Sequence, residues 1–263
     1  MKVDVKSYVD ERKKFLKDRI SKKLTRPSLL ILQKGDNPAS NSYIRGKIKD
    51  GAEVGITVNL FKATHYTELL EILQKVGASY TGVILQEPSG LRPEERESIL
   101  RLISDKQDVD GFKPTSCHKP CTPAGIMDLL EYFYRWDLYE KTVVVVGRGA
   151  LVGKPLIPML IEKGATVISC NSGTDPLSAY TKQGDVVISA TGQPGLITRD
   201  MLKDDAFVVD AGIFVDEKGK LHGDCDPALY DDEDIEVTPV PGGVGLVTRV
   251  QLMQNVLNAA ECK

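Results

Sequence analysis

The sequence has little of several residue types that mark specialised classes of protein. Only 3 histidines, 1 tryptophan and 5 cysteines occur in 263 residues, and no cysteine spacing resembles a zinc site. Acidic and basic residues nearly balance, at 37 and 34, so neither a nucleic acid nor a membrane surface is the expected partner. No apolar run approaches the length that spans a bilayer. We therefore expect a globular protein that binds small molecules or another protein, without a metal site or membrane anchor.

The cysteines and the N-terminal segment both favour a cytoplasmic location. The cysteines stand at positions 117, 121, 170, 225 and 262, an odd and scattered set that is typical of free thiols in a reducing compartment. The first 20 residues, "MKVDVKSYVDERKKFLKDRI", are charged throughout and lack the apolar core of a signal peptide.

Short apolar runs alternate with stretches of helical periodicity along the chain. Several runs are apolar at every position, which is typical of strands covered on both faces by helices. The alternation predicts an α/β fold built from parallel βαβ units rather than an antiparallel sandwich or barrel. The predicted strands are residues 28–33, 56–63, 81–86, 142–147, 166–170, 185–190 and 207–212.

Prolines and a glycine interrupt the chain near its middle. The stretch "PTSCHKPCTPAG", residues 114–125, separates two regions that each resemble a series of strands and helices. The tail at 247–260 then returns to a helical pattern. We expect two α/β lobes, with the C-terminal helix packing back on the first.

A glycine-rich turn follows the first strand of the second region. In "TVVVVGRGALVGKPLIPMLIEKG", residues 142–164, a buried-type strand passes through Gly147, Gly149 and Gly153 into an apolar-periodic helix. Such glycines let the backbone approach a dinucleotide pyrophosphate, whose charge the helix N-terminus favours. The spacing is one residue longer than the common fingerprint. A tight turn without a ligand is therefore the alternative.

The end of the next strand favours NADP over NAD. An NAD site usually places an acid there to hold the ribose hydroxyls, but the strand at 166–170 ends in Asn171 and Ser172, with no carboxylate before Asp175. Arg148 lies in the glycine turn and has the charge to meet a 2′-phosphate. The alternative for Arg148 is a solvated loop residue.

A tyrosine and a lysine share one face of a predicted helix at 41–56. Tyr43 and Lys47 stand at i and i+4, beside a predicted apolar stripe of Ile44, Ile48 and Ala52. Short-chain dehydrogenases carry such a pair after the nucleotide turn, whereas here it precedes the turn, so that interpretation is rejected. Taken alone, the pair is more often a packing feature than a catalytic one.

Two further polar residues stand where ligands often bind. Gln86 ends an apolar strand, and open α/β sheets bind ligands at the carboxyl ends of their strands. Asp110 lies in "DVDGF", residues 108–112, where a turn-forming role is the alternative. The loop "TPVPGGVGLVT", residues 238–248, is costly to order unless its backbone must lie close to something.

Eight stretches occur in the order seen in one family of folate enzymes. They are "YIRGK", "GAEVGI", "DVDGF", "PCTPAG", "VVVVGRGALVGKP", "NSGT", "VVDAGI" and "TPVPGGVGLVT". Over nearly its whole length the chain resembles the bifunctional methylenetetrahydrofolate dehydrogenase/methenyltetrahydrofolate cyclohydrolase family. The resemblance implies NADP-dependent oxidation of 5,10-methylenetetrahydrofolate, followed by hydrolysis of the methenyl product to 10-formyltetrahydrofolate.

The resemblance also implies a domain division and an assembly. Residues 1–122 plus 246–263 would form the folate-binding catalytic domain, and residues 123–245 would form a Rossmann-like NADP-binding domain. A homodimer would form through the nucleotide-binding lobes. The partners implied are tetrahydrofolate derivatives.

Site residues follow from the same resemblance. Lys47 would be the central cyclohydrolase residue, Gln86 the amide that hydrogen-bonds it, and Asp110 the carboxylate that holds the pterin. The implied substrate-binding residues are Tyr43, Gly242, Gly243 and Val244. The implied cofactor-binding positions are Gly147, Arg148, Gly149, Ser172 and Ile213.

Several features depart from the family pattern. The usual "QLPLP" is "QEPSG" here, so that Glu87 brings a charge toward the expected folate contacts. The segment before "PCTP" is shortened, Gly149 replaces the customary serine, and "PGGVGLVT" and "GIF" replace "PGGVGPMT" and "GIN". Two alternatives to a bifunctional enzyme therefore stay open. One is a dehydrogenase with weak or no cyclohydrolase activity, and the other is a folate-binding or regulatory protein that turns over slowly.

Overall fold

The computed structural model describes residues 2–134 and 138–261 and divides the chain into two compact units. The lysine unit consists of Asp10–Cys121 and Arg249–Lys263, and the glycine-turn unit consists of Met1–Val9 and Thr122–Thr248. Both contain parallel sheets, so the predicted α/β class with two lobes is confirmed. No helix in the described part of the chain is long and apolar enough to cross a membrane.

All seven predicted strands are confirmed, with ends that differ by at most two residues. Three further strands of two residues each were not predicted, because so short a run shows no periodicity. The strands are β1 Ser28–Lys34, β2 Thr57–Ala63, β3 Gly82–Leu85, β4 Thr142–Val146, β5 Thr166–Cys170, β6 Val186–Ser189, β7 Phe207–Asp210, β8 Phe214–Val215, β9 Leu221–His222 and β10 Glu236–Val237. The helices are α1 Val5–Ser21, α2 Pro38–Val54, α3 Tyr66–Val76, α4 Pro93–Leu102, α5 Cys121–Tyr134, α6 Gly153–Glu162, α7 Ser178–Thr181 and α8 Val244–Glu261.

The lysine unit contains a parallel sheet in the order β2-β1-β3. The central strand β1 and its neighbour β3 are almost wholly buried, whereas the edge strand β2 is exposed or half-exposed at every residue but its last. The last part of α8 belongs to this unit, where Asn255 Nδ2 donates to the Val109 carbonyl at 2.9 Å. The predicted packing of the C-terminal helix on the first lobe is thereby confirmed.

Helix α2 begins earlier and is buried on a different side from the predicted one. It starts at Pro38, a residue whose fixed φ suits the first helical turn, and the Asn37 side chain accepts from the Ser40 N–H at 3.2 Å. The predicted stripe is wrong, because Ile48 is 37% exposed. The buried side instead includes Ile44 and Lys47, at 2% and 5% exposure, so the lysine lies within the buried face rather than at its border.

The glycine-turn unit is built on a five-stranded parallel sheet in the order β10-β7-β6-β4-β5. Strands β6 and β7 are buried along their whole length, and β4 is buried after its first residue. After β4 the chain forms β5 on one side of β4, and it then crosses over to form β6 on the other side of β4. This change of direction, between the carboxyl ends of β4 and β6, is where open α/β sheets bind ligands.

The first nine residues fall in the glycine-turn unit, whereas the sequence placed them in the folate-binding domain. Lys2 forms a parallel bridge with Val237, and the Val3 N–H donates to the Val237 carbonyl at 3.0 Å. This backbone pairing extends the sheet beyond β10. A pairing between residues so far apart in sequence leaves no local signal.

Candidate active site and nucleotide site

Lys47 is a buried lysine whose amine is hydrogen-bonded to a neighbouring strand end. Its Nζ donates to Gln86 Oε1 at 3.0 Å, and both side chains are about as buried as core residues, at 5% and 6% exposure. Gln86 directly follows β3, and its own amide nitrogen donates to the Glu87 carbonyl at 2.6 Å. That bond turns the amide oxygen toward the lysine. The predicted contact between Lys47 and Gln86 is therefore present.

Asp110 is held as a buried carboxylate near Lys47. Its neighbour Asp108 supplies the turn, accepting the N–H groups of Phe112 and Lys113 at 3.3 and 2.8 Å. Asp110 is thus not needed as the turn residue that the sequence left as its alternative. Burial raises the pKa of Asp110 above its ordinary value, and the positive charge of Lys47 opposes that rise.

Cys121 completes this cluster and was not singled out by the sequence. Its Sγ donates to the Val109 carbonyl oxygen at 3.2 Å, and the neighbouring thiol lowers the pKa of the Asp110 carboxyl. Burial, together with the negative charge of Asp110, raises the pKa of this thiol well above its ordinary value. Cys121 is therefore a neutral thiol beside Asp110 and not a nucleophile.

Tyr43 lies one turn before Lys47 on α2 and is half-buried. Burial raises the pKa of its phenol, and the charge of Arg249 on α8 opposes the rise. The phenol is therefore neutral near pH 7. A half-buried neutral ring beside a buried amine offers a flat apolar surface for a ligand.

The departure at "QEPSG" has a structural explanation. Glu87 Oε1 accepts from Arg96 Nε at 2.6 Å, and Glu87 Oε2 accepts from the Ser89 N–H at 2.7 Å. The Arg96 guanidinium also lies 5.3 Å from the centre of the Phe112 ring. The charge that Glu87 brings to this segment is thus compensated by an arginine on α4.

The loop before α8, in the glycine-turn unit, carries three of the predicted substrate-binding residues. Gly242 has φ +108, and Gly243 and Val244 are buried where the loop enters α8. These three residues belong to the glycine-turn unit, while Tyr43 and Lys47 belong to the lysine unit.

The glycine turn between β4 and α6 is tightly folded at two of its glycines. Gly147 has φ +105, and a Cβ on it would lie 2.5 Å from the Ala190 carbonyl oxygen at the end of β6. A Cβ on Gly153 would lie only 1.9 Å from the Gly147 carbonyl oxygen. Gly149, by contrast, has open space where its Cβ would be. The turn is therefore closed at its base and open at its tip, a shape that fits a pyrophosphate beside the start of α6.

Three other predicted cofactor residues follow the carboxyl ends of β4, β5 and β7. Arg148 donates to the end of β5, from Nε to Ser169 Oγ at 2.9 Å and from Nη2 to the Ser169 carbonyl at 2.7 Å. Ser172 is exposed in the turn that follows β5, and Ile213 is 48% exposed after β7. Arg148 is thus exposed but anchored to Ser169, and its contact with a 2′-phosphate stays a prediction.

A buried pair of aspartates at the carboxyl ends of β6 and β7 escaped the sequence analysis. Asp224 Oδ2 accepts from Ser189 Oγ and from the Thr191 N–H, both at 2.7 Å. Asp210 accepts the N–H groups of Asp224 and Cys225, both at 2.9 Å. Burial raises the pKa of Asp210. The pair fixes the loops that begin at Ala190 and Ala211, which border the predicted nucleotide site.

Comparisons with known proteins identify one family across the chain. Residues 3–110 match "Tetrahydrofolate dehydrogenase/cyclohydrolase, catalytic domain", and residues 120–263 match "Tetrahydrofolate dehydrogenase/cyclohydrolase, NAD(P)-binding domain". The "Bifunctional protein FolD" of Streptococcus thermophilus is 38% identical over 89% of this chain and 87% of its own length.

Solved structures agree with that result. The bifunctional FolD methylenetetrahydrofolate dehydrogenase/cyclohydrolase of Campylobacter jejuni is 34% identical, with a TM-score of 0.89 over 99% of this chain and 98% of that one. The corresponding FolD of Trypanosoma brucei, solved with NADP cofactor and an inhibitor, is 26% identical, with a TM-score of 0.89 over 99% and 97% of the two chains.

Proposed function

The chain belongs to the tetrahydrofolate dehydrogenase/cyclohydrolase family, and from this premise we propose that it is a bifunctional enzyme of one-carbon folate metabolism. It oxidises 5,10-methylenetetrahydrofolate to the 5,10-methenyl compound and hydrolyses that compound to 10-formyltetrahydrofolate. The lysine unit binds the folate, and the glycine-turn unit binds the nucleotide. The observation that carries the proposal is the buried Lys47 amine bonded to Gln86 beside Asp110.

The oxidation needs positioning rather than a strong base. Hydride leaves the carbon between two nitrogens because their lone pairs stabilise the cation that forms, and a bound nicotinamide accepts the hydride. The turn at Gly147–Gly153 and the exposed Ile213 would hold the nucleotide. Asp110 would hold the pterin, so that the reacting carbon stays in one orientation.

The hydrolysis needs proton transfer, and the lysine unit supplies it. A water oxygen bonds to the methenyl carbon while the water gives up a proton. The bond from that carbon to one ring nitrogen then breaks as the nitrogen gains a proton, and the remaining hydroxyl loses its proton as it becomes the carbonyl of the formyl group. Lys47 accepts the proton that the water loses and donates a proton to the nitrogen that leaves. Gln86 holds the amine in place, and Tyr43 lies against the folate ring system.

We propose NADP as the cofactor, and Arg148 supplies the test. Its Nε and Nη2 are bonded to Ser169 at the end of β5, so Nη1 is left for a 2′-phosphate near Ser172. We expect Arg148→Gln to raise the KM for NADP about tenfold or more, since a charge-assisted bond is lost. The KM for NAD should stay the same because NAD has no such phosphate. Steady-state kinetics with both cofactors measure this, and equal changes for the two would contradict the assignment.

The proposal includes a homodimer formed through the glycine-turn units. Strand β5 lies at an edge of its sheet, and Ile161 on the helix before it is 58% exposed, which supports a partner surface in this unit. Light scattering should give twice the 28.8 kDa of one chain. A mass of one chain at micromolar concentration would refute the dimer.

A cytoplasmic location is also part of the proposal. The cysteines at 117, 121, 170 and 225 are all unpaired, as expected for thiols in a reducing compartment.

One absorbance assay separates the proposed function from its two alternatives. Methylenetetrahydrofolate and NADP are added to the protein, and methenyl absorbance is followed, with loss of added methenyl compound measured separately. Appearance and faster-than-spontaneous decay support the bifunctional enzyme. Appearance without enzymatic decay supports a dehydrogenase alone. Neither change, with folate still bound in a titration, supports a binding or regulatory protein.

A further inference from the structure

Arg249 places a guanidinium over the helix that carries Tyr43 and Lys47. A Cβ on Gly46 would lie 2.3 Å from Arg249 Nη1 and 2.8 Å from its Cζ. Any side chain at position 46 would therefore displace the arginine. Gly46 stands directly before Lys47 and three residues after Tyr43, and the Arg249 charge acts on the Tyr43 phenol. The cation thus lies beside the proposed folate site, within the lysine unit.

The Arg249 guanidinium is held through one of its three nitrogens and is partly exposed. Its Nε donates to Asp50 Oδ2 at 2.6 Å, and the second oxygen of that buried carboxylate accepts from Lys13 Nζ, also at 2.6 Å. Among residues 2–134 and 138–261, neither Nη1 nor Nη2 of Arg249 has a hydrogen-bond partner, and 21% of the side chain is exposed. The two free nitrogens form an oriented pair of donors that matches a carboxylate.

Charges near Arg249 are ordered along α2. Asp50 lies between the two cations, and Glu53 pairs with Lys13 at 2.9 Å, one turn farther from Tyr43. The charges of Lys13, Asp50, Glu53 and Arg249 sum to zero. Arg249 has only one carboxylate partner, and it lies at the Tyr43 end of this row. An anion approaching from that end meets Arg249 before either carboxylate.

We propose that Arg249 binds a carboxylate of the glutamyl tail of the folate substrate. The proposal rests on the proposed function. A folate is a row of three groups, in which the pterin is followed by a benzoyl ring and then by one or more glutamates. With the pterin at Lys47 and the ring against Tyr43, the next group is anionic. Arg249 is then a specificity-determining residue that distinguishes folates with a glutamate from those without one.

The test compares two substrates on two forms of the enzyme. Methylenetetrahydrofolate and its analogue without the glutamate, methylenetetrahydropteroate, are oxidised by the wild type and by Arg249→Gln. We expect the variant to raise the KM for the glutamate-bearing substrate about tenfold or more, with kcat nearly unchanged and the KM for the analogue unchanged. The wild type should prefer the glutamate-bearing substrate by the same factor, and Arg249→Lys should restore part of that preference.

Two controls separate this role from a purely structural one. Arg45→Gln removes a charge from the exposed side of the same helix turn and should leave both KM values unchanged. Arg249→Gln loses the ion pair with Asp50, so its melting temperature should fall whether Arg249 binds the carboxylate or only stabilises the fold. The ratio of the KM values for the two substrates therefore distinguishes the two roles. Equal KM changes for the two substrates, or no change for either, would overturn the inference. A wild type that turns over neither substrate would instead refute the proposed function itself.

Discussion

Replacing Lys47 with methionine is expected to slow methenyltetrahydrofolate hydrolysis by about 10²- to 10⁴-fold, the usual contribution of a positioned acid or base. NADP-dependent oxidation of methylenetetrahydrofolate should stay measurable, because hydride transfer requires no base. Methionine has nearly the length of lysine and fills the same buried space, so the helix should keep its position. The measurement is loss of methenyl absorbance for hydrolysis and its appearance for oxidation, on the same protein preparation.

Lys49→Met is the matched control for this variant. Lys49 lies on the same helix but is exposed, so its loss should change neither activity. Removing the Lys47 amine leaves Gln86 Oε1 without its donor, which costs about 1–3 kcal/mol of folding free energy, and a thermal melt monitors that cost. Equal loss of both activities in a folded Lys47→Met protein would contradict the role assigned to the lysine.

Gly153→Ala is expected to impair the oxidation and spare the hydrolysis, the reverse of the pattern expected for Lys47→Met. The added methyl group would lie 1.9 Å from the Gly147 carbonyl oxygen, so the turn must open, at a cost of about 1–3 kcal/mol as for other overpacked sites. A displaced turn no longer fits the pyrophosphate. We expect the KM for NADP to rise at least about tenfold, while hydrolysis of added methenyl compound stays within about twofold, because Lys47 belongs to the other unit.

Gly149→Ala provides a matched comparison within the same turn. This glycine has nothing within 4 Å of its missing Cβ and no positive φ, so alanine should be tolerated in the free protein. Its effect on the KM for NADP should be much smaller than that of Gly153→Ala. A normal KM in Gly153→Ala would show that this turn does not hold the nucleotide.

Strands β1, β3, β4, β6 and β7 and their parallel arrangement were predictable because they are almost wholly buried and leave continuous apolar runs. Gln86 was predictable for a related reason, since the end of a parallel strand is a known ligand position. Helix α2 was only partly predictable. Its buried face includes Lys47 and Asp50, and a stripe drawn from apolar residues alone turns toward Ile48 and away from those two.

The residues that escaped prediction are held by contacts between distant parts of the chain. Arg249 pairs with Asp50 across 199 positions, and Asp224 accepts from Ser189 across 35. Cys121 reaches Asp110 only because the turn between them closes. None of these side chains has a periodic or local pattern that marks it. They can be recognised only from the contacts in the folded structure.

The position of a bound folate relative to Lys47 is the most direct test. The measurement is a crystal structure of the wild-type chain with NADP and a folate analogue that cannot react. We expect the pterin beside α2, with Lys47 Nζ within about 3 Å of the one-carbon bridge nitrogens or of a water against that carbon, as hydrogen bonding requires. A pterin bound away from α2, with the Lys47 amine still bonded only to Gln86, would contradict the proposed cyclohydrolase site.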